Sequence, residues 1–171
     1  MKRFRLALLG FGNVGRAFAR LLTEKSAEIL ETRSLEFIIS GIFTARHGAL
    51  IDEKGVDALK AAALLENGMS FQPLEDGQGA ASGLDFIRVC PADVLLENSP
   101  VNYTDGEPAV SHARAALEKG MHVVTANKGP VAHAYRDLTA LAEEQHKRFL
   151  FESAVMDGAP IFSLFRRAMP A

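Results

Sequence analysis

The chain has 171 residues, enough for one domain with a real core. Hydrophobic residues make up 48% and charged residues 23%, which excludes a disordered chain. A net charge of −2 leaves no electrostatic footprint for nucleic acid or an anionic membrane.

Met1-Lys2-Arg3 resembles the start of a signal peptide, but Arg5 follows and the apolar run Leu6 to Leu9 stops at Gly10. That run is too short for a signal peptide's apolar region or a membrane span. Cys90 is the single cysteine, so no intrachain disulfide forms, in keeping with a reducing compartment. The expectation is a soluble cytoplasmic protein.

Phe4 to Leu9 reads as a buried strand. From Asn13 to about Thr32 the pattern turns helical, with Val14, Ala17, Phe18, Leu21 and Leu22 at helical spacing. Leu35 to Phe43 reads as a second strand, Thr44 to Gly55 as a loop, and Val56 to Glu66 as a helix. Asn67 to Gly83, with four glycines and one proline, is expected to be an irregular connection. Leu84 to Val89 leans to a short helix and Asp93 to Glu97 to a strand. Glu107 to Lys119 is a predicted helix, with Pro108 in its first turn and Gly120 just past its end. Met121 to Thr125 is a strand, Ala134 to Lys147 a helix, Phe149 to Glu152 a strand, and Ile161 to Ala168 the start of another helix.

Alternating strands and helices predict an α/β fold: a Rossmann-type, doubly wound parallel sheet covered on both faces. Ligands of such sheets bind beyond the carboxyl ends of the strands. The loops at Gly10, Thr44, Asn98 and Ala126 all follow strands and should share that edge.

Gly10-Phe11-Gly12-Asn13-Val14-Gly15 matches G-x-G-x-x-G between an apolar strand and an amphipathic helix. Gly10 permits the tight turn, Gly12 lets a pyrophosphate approach the backbone, and Gly15 lets the helix pack on the strand. The helix N-terminus then faces the phosphates. The alternative is a tight turn without a ligand.

An acidic residue ending the second strand would accept the ribose 2′-hydroxyl of NAD. Phe43-Thr44-Ala45-Arg46-His47-Gly48 offers none. Arg46 is placed to pair with a 2′-phosphate, which favours NADP, unless it is a solvated surface arginine. Asp52 lies a little further on, within reach of a ribose on the sequence reading.

Three further segments carry a family resemblance. They are Asp93–Pro100 (DVLLENSP) followed by Thr104–Pro108 (TDGEP), Ala116–Pro130 (ALEKGMHVVTANKGP), and Glu152–Ile161 (ESAVMDGAPI). Together with the glycine loop they resemble the cofactor-binding half of homoserine dehydrogenase, across essentially the whole chain. The resemblance implies NAD or NADP as cofactor, interconversion of homoserine and aspartate 4-semialdehyde in threonine and methionine synthesis, and a homodimer in the full-length enzyme. It implies that Lys128, the lysine of the ANK motif, stands beside nicotinamide and substrate, and that Ser99 contacts the cofactor. A cation at such a loop polarises the substrate oxygen or, neutral, takes its proton; without the resemblance, Lys128 reads as an exposed lysine in a turn. The resemblance also implies a monovalent cation such as Na+ on backbone oxygens at Glu152, Val155, Asp157 and Ala159. Asp157 stands where glycine is commoner, and a hinge between domains is the other reading of this segment.

The five histidines, among them His112 and His122, lack metal-ligand spacing, so surface or core packing is expected for both of these. Cys90 has no histidine partner nearby in sequence and is not expected to be a nucleophile. Members of the resembled family are about twice this length, and the substrate region with its second lysine would begin at Ile161. Residues 1–160 are therefore expected to form the cofactor domain and 161–171 to begin a substrate domain. The chain is either a fragment of a longer enzyme, the expectation here, or a truncated gene product. A stand-alone nucleotide-binding or regulatory module without catalysis is the alternative function.

Overall fold

The computed structural model describes residues 1–74, 79–156 and 159–168. Six strands, β1 (Lys2–Leu9), β2 (Leu35–Thr44), β3 (Gly48–Ile51), β4 (Val94–Glu97), β5 (His122–Thr125) and β6 (Phe149–Leu150), form one sheet in the order β3-β2-β1-β4-β5-β6. All neighbouring pairs are parallel except β2 and β3. The helices are α1 (Asn13–Arg33), α2 (Ala58–Glu66), α3 (Gly83–Val89), α4 (Ala109–Glu118), α5 (Lys128–Glu144) and α6 (Ile161–Ala168).

The apolar run of β1 is continuous because both faces of the sheet are covered. Leu6 and Leu8 join one core with Ala19 of α1 and Ala58, Ala61 and Ala62 of α2. Ala7 and Leu9 point the other way, into a second core with Phe86 of α3, Ala113 and Leu117 of α4, and Leu138 of α5.

Most expected elements are present with ends shifted by a few residues. Within the span expected to be a loop after Thr44, however, Gly48–Ile51 pairs back on β2 as an antiparallel strand, Gly48 opposite Thr44 and Ile51 opposite Gly41. The fold is thus doubly wound with one antiparallel edge. In the irregular connection, Gln72–Leu74 makes a single 3-10 turn. The expected strand to Glu152 stops at Leu150, because Phe151 leaves the extended region and Glu152–Ala154 forms a 3-10 turn. On α1, Gly15 and Ala19 face the core, whereas Val14 and Leu21 are more than half exposed.

The helix starts have local causes. Asp57 caps α2 by accepting the Lys60 N–H at 2.9 Å, and Ser82 caps α3 by accepting that of Asp85 at 3.1 Å. Asn127 caps α5 through the Gly129 N–H at 2.8 Å. Helix α5 starts at Lys128, ahead of the expected Ala134, and Ala134 is where it kinks, with φ −140°. No described helix is long and apolar enough to cross a membrane.

Candidate functional site at the carboxyl edge of the sheet

The loops after β1, β2, β4 and β5 do share one edge. The Gly10 N–H donates to Phe43 O at 2.9 Å, Asn98 N–H to Leu9 O at 2.8 Å, and Ala126 N–H to Glu97 O at 3.3 Å. Beyond that edge lies a cleft of about 650 Å³, lined by the Gly10–Gly12 loop, the Thr44–His47 turn and the Asn98–Asn102 loop.

Gly10 sits at φ +94°, and a Cβ there would run into the Asn98 carbonyl, so glycine is required for both reasons. Gly15 packs under the loop; its Cβ would meet Gly10 O at 2.8 Å. Gly12 differs. Its φ of −77° suits any residue, and a Cβ there would meet nothing within 4 Å. Neither backbone strain nor packing within the chain calls for glycine at this position, but a group bound in the cleft would. Gly12 is also the N-cap of α1 and lacks a side chain to cap with. The first intrahelical bond runs from Arg16 N–H to Gly12 O at 3.0 Å, which leaves the N–H groups of Asn13, Val14 and Gly15 without helical acceptors. These features fit a pyrophosphate at the helix N-terminus. Phe11 turns inward, 2% exposed, against Phe71, while Asn13 and Val14 are exposed.

Arg46 is exposed in the turn between β2 and β3 and lines the cleft. Among the described residues it has no carboxylate partner. Asp52 does not share this corner. The antiparallel return of β3 carries it back beside Ser40, four residues down β2, or roughly 13 Å at strand rise. There its carboxylate accepts the Lys54 N–H.

Ser99 lines the cleft, and its hydroxyl donates to Glu97 Oε1. Lys128 is exposed as the first residue of α5, next to the buried cap Asn127, and is not among the cleft-lining residues. Gly129 beside it touches the Gly106 backbone, where a Cβ would approach Gly106 Cα to 2.8 Å. The structure therefore gathers the glycine loop, Arg46 and Ser99 around one cleft and sets Lys128 at its own loop on the same sheet edge.

The segment Glu152–Ala159 is separate. The Glu152 carboxylate accepts the Ser163 N–H and hydroxyl, each at 3.0 Å, which clasps α6 to the end of the sheet. Val155 is exposed, and the Ala159 carbonyl accepts the Ile161 N–H at 2.9 Å. Asp157 lies outside the described residues. Among the described residues no three His, Cys, Asp or Glu side chains gather as metal ligands.

Glu97 at this edge escaped the sequence reading, and so did the place of the core-packed His112 beside the cleft. Glu97 is wholly buried at the end of β4, and His112 on α4 is 6% exposed, with Nδ1 3.9 Å from Glu97 Oε1. His112 is a packed core residue and also lines the cleft. A signal for Glu97 was available: a carboxylate ending the apolar run Val94-Leu95-Leu96, where site residues of parallel sheets collect.

Residues 10–152 match the family model described as the NAD-binding domain of homoserine dehydrogenase. The chain belongs to the homoserine dehydrogenase family. An NAD(+)-dependent homoserine dehydrogenase from Pseudomonas canavaninivorans is 37% identical over 99% of this chain and 48% of its own length. The homoserine dehydrogenase of Methanocaldococcus jannaschii is 34% identical over 96% of this chain and 48% of its own length. Among solved structures, a hyperthermophilic archaeal homoserine dehydrogenase mutant in complex with NADPH aligns with a TM-score of 0.81. The two are 29% identical, over 98% of this chain and 49% of that one. The Thermoplasma acidophilum homoserine dehydrogenase gives 0.80 at 25% identity, over 98% and 48% of the two chains. The chain spans about half the length of the curated relatives it matches. It corresponds to the NAD-binding half of a homoserine dehydrogenase.

Proposed function

We propose that this chain is the cofactor half of an enzyme that interconverts L-homoserine and L-aspartate 4-semialdehyde with NADP or NAD. The observation that carries the reading is Gly12, a glycine needed neither for φ nor for packing, at the open N-terminus of α1. The Gly10–Gly15 backbone, with Phe11 packed beneath and Asn13 and Val14 at the helix start, holds the pyrophosphate. Arg46 takes the 2′-phosphate, which places NADP at least level with NAD, and Ser99 faces the cofactor from the β4 side. A nicotinamide cofactor, when bound, would supply the hydride acceptor or donor for this reaction. Lys128 stands beside the reacting oxygen, where its charge stabilises the alkoxide or its neutral amine takes the hydroxyl proton.

Residues 1–160 form the cofactor domain in this reading, and 161–171 open the substrate region. The apolar side chains that α6 leaves exposed, Leu164 and Phe165, support that boundary. For Glu152, Val155 and Ala159 the hinge is the preferred reading over a Na+ site: the Glu152 carboxylate holds Ser163 of α6 and the Ala159 carbonyl accepts the Ile161 N–H, so the segment ties α6 to the sheet. A homodimeric enzyme in the cytoplasm, threonine and methionine synthesis, and a small-molecule substrate belong to the same reading.

Calorimetric titration of the chain with NADPH is the test, and saturable one-to-one binding is expected. In a chain that also carries the substrate half, Lys128→Ala is expected to lower kcat about 10²–10⁴-fold while NADPH affinity holds. Near-normal turnover with homoserine in that variant would remove Lys128 from the chemistry.

A further inference from the structure

Four side chains close a ring behind the β4 side of the cleft. Glu97 is 0% exposed, and its Oε1 accepts both the N–H of Ser99, at 3.1 Å, and the Ser99 hydroxyl. Thr125 Oγ1 lies 3.2 Å from Glu97 Oε2 and 3.2 Å from Glu97 O, and accepts the Asn127 N–H at 3.0 Å. Asn127, 2% exposed, completes the ring: its Nδ2 donates to Ser99 O at 3.0 Å and reaches Pro100 O at 3.3 Å, while its Oδ1 caps α5. His112 also faces Glu97, and among the described residues its Nδ1 has no hydrogen-bond partner.

Burying a carboxylate is costly unless donors surround it, and a satisfied polar network gives one arrangement rather than many. Here the network spans the end of β4, the Ser99–Pro100 wall of the cleft, the end of β5 and the start of α5. A hydrophobic core would stabilise the sheet equally well at this position without fixing that wall. A dinucleotide lies across the point where strand order reverses. With Arg46 at the β2 corner and Gly12 at the centre, the end left for the nicotinamide is the Ser99 side.

We propose that Glu97 is a positioning residue: through Ser99 and Asn127 it fixes the wall that receives the nicotinamide end of the cofactor relative to Lys128. The proposal rests on the cofactor reading above. It predicts an effect on one end of the ligand only, which a general loss of stability would not produce.

The test is calorimetry on the chain with two probes, NADPH and ADP-ribose 2′-phosphate, which lacks the nicotinamide. Glu97→Gln keeps the shape of the side chain and replaces one of its acceptor oxygens with an amide nitrogen that can only donate. Asn127→Ser keeps a helix cap and removes the donor to Ser99 O and Pro100 O; it decides the matter if Glu97→Gln fails to fold. Each variant is expected to weaken NADPH about tenfold and to leave ADP-ribose 2′-phosphate within about twofold. Parallel weakening of both probes, or no change in either, overturns the positioning role while leaving the cofactor site standing. A wild-type chain that binds neither probe overturns the cofactor reading and this proposal with it.

Discussion

Gly83, the first residue of α3, packs against the Nε2 corner of the imidazole of His112 on α4. A Cβ at position 83 would fall on Nε2 and come within 2.9 Å of Cε1. The pair sets how closely α3 and α4 approach behind the cleft. Gly83→Ala is expected to destabilise the fold by about 1–3 kcal/mol, the usual cost of overpacking. In a His112→Ala background the same change should cost less, with a coupling on the order of 1 kcal/mol in the double-mutant cycle. Urea midpoints of the four proteins measure it, and additive effects would mean that the ring yields freely.

At Gly12 the expectation runs the other way. Because a Cβ there meets nothing within 4 Å, Gly12→Val should leave the thermal midpoint within a few degrees of wild type. Binding of NADPH should nonetheless be abolished, since the new side chain projects into the space assigned to the pyrophosphate. Unchanged affinity would show that the loop is a turn and nothing more.

Arg46 offers a test of cofactor preference. A charge-assisted bond to a phosphate contributes about 1.5–3 kcal/mol. Arg46→Ala should therefore weaken NADP by roughly 10–100-fold and leave NAD nearly unaffected, as read by paired titrations. Equal losses for both cofactors would mean that Arg46 does not read the 2′-phosphate.

Cys90 predicts a pH dependence of stability. Burial pushes its thiol from the ordinary 9.0 up to about 11, partly opposed by the Ser40 hydroxyl. The folded chain keeps the thiol protonated where the unfolded chain ionises it. This contribution is complete below pH 9 and is lost as pH rises toward 11, on the order of 2–3 kcal/mol. The ammonium of Lys119, held low by burial, shifts stability in the opposite sense. Comparison with Cys90→Ala isolates the thiol: the wild type should lose its advantage across that window. The same burial should leave Cys90 unalkylated by iodoacetamide at pH 8 until the chain unfolds.

Much of this was legible in the sequence, for a physical reason. A strand buried on both faces must be apolar throughout, so Leu6–Leu9 and the loop after it could be located by eye, and Gly12 with them. Strand β3 was hidden because four residues beginning with a glycine carry too little pattern to separate them from a loop. The start of α5 was misplaced because residues 128–134 form their own turn before the kink at Ala134. Glu97 was missed for a different reason. The strand-end carboxylate marks the position, but its meaning lies in Ser99, His112 and Thr125, which come from three separate elements, and the local pattern does not announce that convergence. Val14 and Leu21 misled in the opposite direction: both fit a helical apolar stripe, and both face outward.

The antiparallel return of β3 has a consequence for how such a domain can diversify. The corner of the cleft at Ala45, Arg46 and His47 is a short hairpin turn, and its first two residues are fully outside the core. A parallel connection would have tied that corner to a helix packed on the sheet. Because the chain simply doubles back, residues can be exchanged there with little repacking beneath them; on the reading that Arg46 meets the 2′-phosphate, cofactor preference can change at this corner without loss of fold stability.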